Sequence, residues 1–163
     1  MVRECFESIL DALCANCKLL YSERLVTLGI FGSVGRGTPN LNSDIDMILI
    51  VRNLPRGRMS RIHEFESVEG RVAPAIHKAA ELGCHTALSP VIKTPDEVEQ
   101  GSLLFLDMIH DIRFLHDRDG FFRNFLREFH QTLKERNARR VPCKGAWYWD
   151  LKPGYTVGAK GNP

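Results

Sequence analysis

Residues 31–47 read FGSVGRGTPNLNSDIDM, and this stretch decides how the chain around it can fold. The apolar runs on either side, at residues 25–31 and 44–52, are typical of buried strands. The glycines and small polar residues between them predict a tight turn followed by a polar loop. The expected order is therefore a strand, a glycine-rich turn, a loop and a second strand.

Two carboxylates open the second of these strands. Side chains alternate between the two faces of a strand, so Asp44 and Asp46 are expected to point the same way, while Ile45 and Met47 point into the core. Like charges held together repel each other, which costs stability unless a cation lies between them. A hard divalent cation with oxygen ligands, Mg²⁺ or Mn²⁺, is the simplest answer.

The glycine-rich turn predicts a site for phosphate oxygens. Glycines let the backbone approach a ligand, and successive backbone N–H groups in a turn form an anion-binding nest. Ser33 adds a hydroxyl beside Gly32, Arg36 adds a bidentate phosphate partner, and Ser43 closes the polar loop as a further candidate. A phosphate nest next to a carboxylate pair is what a nucleoside triphosphate with its Mg²⁺ requires.

A purely structural origin is the alternative explanation for both features. Gly-Ser turns are common, and so are acidic residues after a loop, so neither carries much weight alone. Their joint placement is more specific, because an apolar strand leads into Gly32-Ser33 and, after ten intervening residues, an acid–apolar–acid triplet opens the next apolar strand. This placement favours a functional site over coincidence.

These residues also resemble a known signature. FGSVGRGT at 31–38 followed by SDIDM at 43–47 is similar to the motif of the DNA polymerase β-type nucleotidyltransferase superfamily, and most of all to its minimal nucleotidyltransferases. The resemblance implies a small mixed β-sheet flanked by helices. It further implies that Gly32 and Ser33 hold the triphosphate and that Asp44 and Asp46 ligate catalytic metals. The implied activity is transfer of a nucleoside monophosphate, from ATP by expectation, to an unidentified hydroxyl or amine.

The sequence departs from the family at one position. Members usually place a third carboxylate on the next long strand, but no acid occurs between His85 and Lys93. Counting back from Lys93, Ser89 occupies the expected position. Asp107 is the best substitute from elsewhere in the chain, although a helix-face or capping acid is the favoured interpretation of that residue.

Two functions therefore stay open. The first is a metal-dependent nucleotidyltransferase, which the complete Gly-Ser and Asp-x-Asp parts favour. The second is a nucleotide-binding antitoxin or regulatory module of low activity, paired with a helical partner protein, which the serine at position 89 favours.

The remaining pattern predicts an α/β (α+β) fold with a C-terminal helical extension. A nucleotidyltransferase domain is expected over residues 1–117, and a helix with a turn-rich tail over 118–163. Helices are expected at residues 3–22, from an N-cap at Ser60 to near Gly83, in a short segment that begins at Pro95, and at residues 102–110 and 119–138; the further strands are expected at 85–93 and 112–115. Pro74 is expected to kink the second helix or break it in two.

Composition narrows the function classes only slightly. The net charge of +2 over 163 residues gives no strong argument for nucleic-acid or membrane binding. No apolar run approaches a membrane span, and the charged N-terminus is unlike a signal peptide, so a cytoplasmic location is expected. Cys14 and Cys17 are interpreted as small core or boundary residues, because no second pair completes a zinc site. Residues 118–144 hold eight Lys/Arg against three Asp/Glu, which permits nucleic-acid binding, although a solvated helix face is favoured. Trp147 and Trp149 either stack on a base or, as favoured, fasten the tail to the domain.

Overall fold

The structure is a computed structural model that describes residues 2–151 and 153. Its helices are α1 Val2–Tyr21, α2 Gly32–Gly35, α3 Arg58–Glu81, α4 Pro95–Glu99, α5 Phe105–Asp111 and α6 Phe121–Glu135. Its strands are β1 Leu25–Phe31, β2 Ile45–Val51, β3 Leu88–Lys93, β4 Arg113–Asp117, β5 Arg139–Cys143 and β6 Ala146–Asp150.

The main sheet is mixed and has the strand order β3-β2-β1-β4. Strand β1 pairs antiparallel with both β2 and β4, whereas β2 pairs parallel with β3 through the long crossover helix α3. The predicted small mixed sheet flanked by helices is thus confirmed. The division into a domain at 1–117 and an extension at 118–163 stays a prediction, although α6 packs its buried Phe122 and Leu126 against the main sheet.

Both faces of the sheet are covered, which explains the continuous apolar runs of β1 and β2. One face packs on α1 and α3, and β2 contributes Ile45, Met47 and Leu49 to it. The opposite face packs on α4, α5 and α6, and β2 contributes Ile48 and Ile50. The alternation along β2 therefore assigns Asp46 to the side of Ile48, the side that α5 covers.

Helix α3 runs unbroken through Pro74, so of the two expected outcomes, a kink or a division in two, the division does not occur. A proline inside a helix leaves the carbonyl four residues earlier without its N–H donor, which here is the carbonyl of Gly70. Both Pro74 and Gly70 lie on the exposed side of the helix, so water can take the place of the missing donor. The helix also starts at Arg58 rather than with Ser60 as its N-cap.

The C-terminal segment differs most from expectation. A turn-rich tail was predicted after the last helix, but residues 139–150 form a β-hairpin of β5 and β6. Helix α6 is also shorter than its predicted range of 119–138, because it ends at Glu135. Residues 152 and 154–163 of the predicted extension lie outside the described residues.

The described part of the chain contains no helix that is both long and apolar enough to cross a membrane. All five cysteines are free thiols. Cys17 is fully buried in α1, and this burial raises the pKa of its thiol to about 12, so it behaves as a small apolar residue. The interpretation of Cys14 and Cys17 as core or boundary residues agrees with this placement.

Candidate active site

The carboxylates of Asp44 and Asp46 lie where β2 begins, next to the end of β1. Asp46 pairs across the ladder with Phe31, the last residue of β1. Asp44 precedes the strand and is exposed, and its Oδ1 accepts a hydrogen bond from the backbone N–H of Ala87 at 3.1 Å. This contact fixes the start of β2 against the segment that leads into β3.

Asp46 is the electrostatically perturbed member of the pair. Partial burial raises the pKa of its carboxyl, and the negative charge of Asp44 raises it further, while hydrogen bonding to the Ser89 side chain opposes the shift. The raised pKa means that the folded protein disfavours the ionised form of Asp46. A cation at this position would relieve that penalty.

The glycine-rich segment folds into the short helix α2, which packs closely against Asp46. Gly32 has a φ of +66°, which a residue with a side chain rarely adopts, and a Cβ on it would lie 2.5 Å from Oδ2 of Asp46. A Cβ on Gly35 would lie 2.5 Å from the carbonyl oxygen of Ile30 and 2.6 Å from that of Asp111. Only glycine therefore lets the turn come so close to both its neighbours.

The two serines of the predicted phosphate site come together. Oγ of Ser33 donates to Oγ of Ser43 at 3.0 Å, and the backbone N–H of Asn40 donates to the same Ser43 oxygen at 2.9 Å. The backbone N–H of Thr38 donates to the carbonyl of Ser33 at 2.9 Å. These bonds fold the polar loop onto the turn and hold Ser33 beside the carboxylates.

Ser89, the residue expected at the family's third carboxylate position, lies on the strand next to Asp46. Ser89 is the residue of β3 opposite Asp46 in the parallel register, as the count back from Lys93 anticipated. Asp107 is exposed on α5 and makes no hydrogen bond or ion pair with another described residue. Geometry thus favours Ser89 over Asp107 as the counterpart of the third carboxylate. In the described residues, no cluster of three or more His, Cys, Asp or Glu side chains is arranged to hold a metal.

Arg36 has a partner that the sequence did not indicate. Its Nη1 lies 3.2 Å from Oδ2 of Asp111, and its guanidinium carbon lies 5.1 Å from the ring centroid of Trp147. Nη2 of Arg140 also lies 3.5 Å from that Asp111 oxygen. The predicted bidentate contact of Arg36 with phosphate therefore stays a prediction, because this guanidinium is already paired.

Lys93, the last residue of β3, lies at the opposite end of the sheet from the carboxylates. It pairs with Ile50, four residues along the parallel ladder from the pairing of Asp46 with Ser89. At about 3.3 Å per residue, this separation is about 13 Å. The lysine is too far along the strand to reach a phosphate at the turn without a large movement of the main chain.

Comparison with known proteins agrees with this geometry. Residues 9–109 match the family described as nucleotidyltransferase domain. The chain is similar to a protein of Methanocaldococcus jannaschii named "Putative protein adenylyltransferase MJ1305", at 27% identity over 136 residues, which cover 82% of this chain and 87% of that protein. The matched range includes every residue from the glycine turn through Ser89.

Solved structures give weaker similarities. One is a toxin-antitoxin structure with AMP-PNP, at 17% identity and a TM-score of 0.43, covering 76% of this chain and 92% of that one. Another is a mutant of the toxin-antitoxin MntA-HpeT, at 15% identity and a TM-score of 0.42, covering 74% and 86% of the two chains.

Proposed function

The chain belongs to the nucleotidyltransferase domain family and is an enzyme of that type, and from this premise we propose that it transfers AMP from ATP to a hydroxyl or amine acceptor. The acceptor oxygen or nitrogen forms a bond to the α-phosphorus of ATP. The bond between the α-phosphorus and the bridging oxygen of the β-phosphate breaks, pyrophosphate leaves, and the acceptor loses its proton. The name of the Methanocaldococcus jannaschii relative supports adenylyl transfer in particular.

One observation carries this proposal: the glycine turn and Asp46 are built around each other. The 2.5 Å approach of a Cβ on Gly32 to the Asp46 carboxylate leaves room only for a bare backbone, which puts phosphate-binding N–H groups next to a carboxylate. Ser33, held by Ser43, presents its hydroxyl at the same turn. An anion-binding turn next to a cation-binding carboxylate suits a ligand that contains both charges, such as a triphosphate with its divalent cation.

The donor set fits Mg²⁺ or Mn²⁺. Asp44 and Asp46 offer hard carboxylate oxygens, and the raised pKa of Asp46 reflects a negative charge that the protein alone does not neutralise. These two residues would hold the ion, which would polarise phosphate oxygens and neutralise charge that develops during transfer. Ser33 and the N–H groups of the turn would orient the triphosphate.

The test is transfer of label from ATP labelled at the α-phosphate, in the presence of Mg²⁺ and cell lysate. We expect labelled product from the wild type and none from the double variant Asp44→Asn with Asp46→Asn. Glu97→Gln, which removes a carboxylate at the far end of β3, serves as the control and should retain transfer. Label transfer that survives in the double variant would place the reaction elsewhere.

A second function is retained because of Ser89. A serine beside Asp46 leaves the site one carboxylate short of the family pattern, which favours a nucleotide-binding regulatory module that works with a helical partner protein. This function predicts that Mg²⁺ with ATP raises the melting temperature by mass action while no label is transferred. Transfer by the purified chain to an added acceptor would exclude it.

A further inference from the structure

Asp111 is a buried acid at the end of α5 on which two arginines from distant parts of the chain converge. Oδ2 of Asp111 lies 3.2 Å from Nη1 of Arg36 and 3.5 Å from Nη2 of Arg140. Asp111 is only 9% exposed, so the carboxylate is largely withdrawn from water and both contacts are screened weakly. One negative charge therefore holds two positive ones that would otherwise repel each other.

Trp147 completes this cluster from the C-terminal hairpin. Its ring centroid lies 3.7 Å from the guanidinium carbon of Arg140 and 5.1 Å from that of Arg36, both within the range of a cation–π contact. Trp149, on the same face of the hairpin, stacks on His110 of α5 with the ring centroids 6.2 Å apart. The hairpin is thus pinned to the domain at two points, in agreement with the favoured interpretation of the tryptophans.

The cluster connects directly to the turn that carries Ser33. Arg36 caps α2 through a backbone hydrogen bond of 3.0 Å to the carbonyl of Gly32. Gly35 packs so closely on the Asp111 carbonyl that a Cβ there would lie 2.6 Å from it. The backbone of the turn therefore packs directly against the end of α5 and is hydrogen-bonded to the main chain of Arg36.

We propose that Asp111, together with Arg140 and Trp147 of the hairpin, forms part of the nucleotide site as a set of positioning residues that act through Arg36 on the triphosphate. The three residues lie beyond residue 109, where the match to the nucleotidyltransferase family ends. The C-terminal hairpin then contributes to nucleotide binding in this chain rather than serving only as a cover for α5. This inference rests on the proposed function, because it assigns a task at the same site.

The experiment measures the dissociation constants of Mg²⁺–ATP and of AMP by calorimetric titration. Asp111→Asn leaves the two guanidinium groups without a shared anion, so Arg36 loses its position and we expect Mg²⁺–ATP to bind about 10-fold more weakly, the size of one charge-assisted hydrogen bond. AMP should be affected less, because it lacks the β- and γ-phosphates. Arg140→Met and Trp147→Leu should shift the ATP-to-AMP preference in the same direction.

A double-mutant cycle distinguishes positioning from a general loss of structure. If Asp111 acts through Arg36, then adding Asp111→Asn to Arg36→Met should weaken Mg²⁺–ATP binding by less than about 2-fold, since the intermediary is already gone. Glu97→Gln is the control, because it breaks an ion pair with Arg61 at the far end of β3 and should leave both dissociation constants unchanged.

The outcomes separate this inference from the proposed function. If the wild type binds no Mg²⁺–ATP, the proposed function fails and the inference fails with it. If the wild type binds and Asp111→Asn binds equally well or more tightly, the inference alone is overturned, since Asp111 would then be a competitor for Arg36. If Asp111→Asn does not fold, unchanged ATP binding by both Arg140→Met and Trp147→Leu overturns it.

Discussion

Gly32→Ala is the substitution that tests the site geometry most directly. Gly32 adopts a φ of +66°, in the left-handed region, and its missing side chain leaves the space that Asp46 occupies. An alanine at this position therefore meets two separate penalties. The backbone must hold a conformation that disfavours a Cβ, and the new methyl group must displace a carboxylate.

The two penalties differ in size and in consequence. The left-handed conformation costs about 1–2 kcal/mol for a residue with a Cβ, partly offset by about 0.4–1 kcal/mol because alanine restricts the unfolded chain. The methyl group would lie 2.5 Å from Oδ2 of Asp46, whereas ordinary contact begins at 3.4 Å, so the oxygen must move by about 0.9 Å. A displacement of about 1 Å at a reacting centre costs about 100-fold in rate.

Gly37→Ala provides a matched control within the same loop. Gly37 has a φ of +78°, but a Cβ on it meets nothing within 4 Å, so this variant carries the conformational penalty without the displacement. We expect Gly37→Ala to lose about 1 kcal/mol of unfolding free energy in urea, and Gly32→Ala to lose at least as much. Only Gly32→Ala should also lose at least 10-fold in Mn²⁺ affinity with ATP present and about 100-fold in label transfer.

The comparison of the two variants can refute the reasoning. Equal Mn²⁺ affinity and equal transfer rates in Gly32→Ala and Gly37→Ala would show that the position of the Asp46 carboxylate does not matter for the ligand. The proposed contact between the turn and the metal-binding pair would then be wrong, even if both variants lost stability as expected.

Three further predictions concern carboxylates on the sheet or next to it. Asp46→Asn should be more stable than the wild type in metal-free buffer at pH 7, because the free energy of unfolding of the wild type falls as the pH rises through the raised pKa of Asp46. The difference in stability should vanish below the ordinary pKa of 3.8. A difference of the same size at both pH values in urea unfolding would contradict this prediction. Ser89→Asp should tighten Mn²⁺ binding in the presence of ATP by adding a third carboxylate, as titration would measure, and no tightening would mean that position 89 is not the vacant one. Glu97→Gln should lower the free energy of unfolding by about 1 kcal/mol at neutral pH, since hydrogen bonds from Arg61 lower the pKa of Glu97 to about 2. The wild type loses that stabilisation as the pH falls from 4.5 toward 2. If the stability of the variant fell equally steeply over this acid range, the prediction would be wrong.

Local features of the site could be predicted from the sequence because they depend on neighbouring residues. The alternation along 44–52 assigned Ile45 and Met47 to the core and Asp46 to the opposite face, as the structure has them. Counting back along the strand from the turn after Lys93 correctly located Ser89 opposite Asp46, because that turn marks where the strand ends. Whether these residues bind a metal and a nucleotide stays a prediction.

Features that depend on distant parts of the chain could not be predicted in this way. Which end of β3 lies beside Asp46 depends on its parallel pairing with β2, which places Ser89 there and leaves Lys93 about 13 Å further along the ladder. The hairpin escaped prediction because residues 139–150 include a proline and few alternating apolar positions, so its stability comes from docking on α5 rather than from its own pattern.

The sequence by itself determined the glycine turn, the strand that follows it and the face of that strand on which Asp46 lies, because backbone sterics and the two-residue period of a strand act over short distances. Only the tertiary structure decided which partner each long side chain takes. Arg36 meets Asp111, 75 residues away, and a guanidinium on a flexible side chain can reach either a phosphate or a carboxylate. The packing of α5 and the hairpin on the turn brings Asp111 to this guanidinium, and among the described residues only Arg36 and Arg140 neutralise the charge of that buried carboxylate.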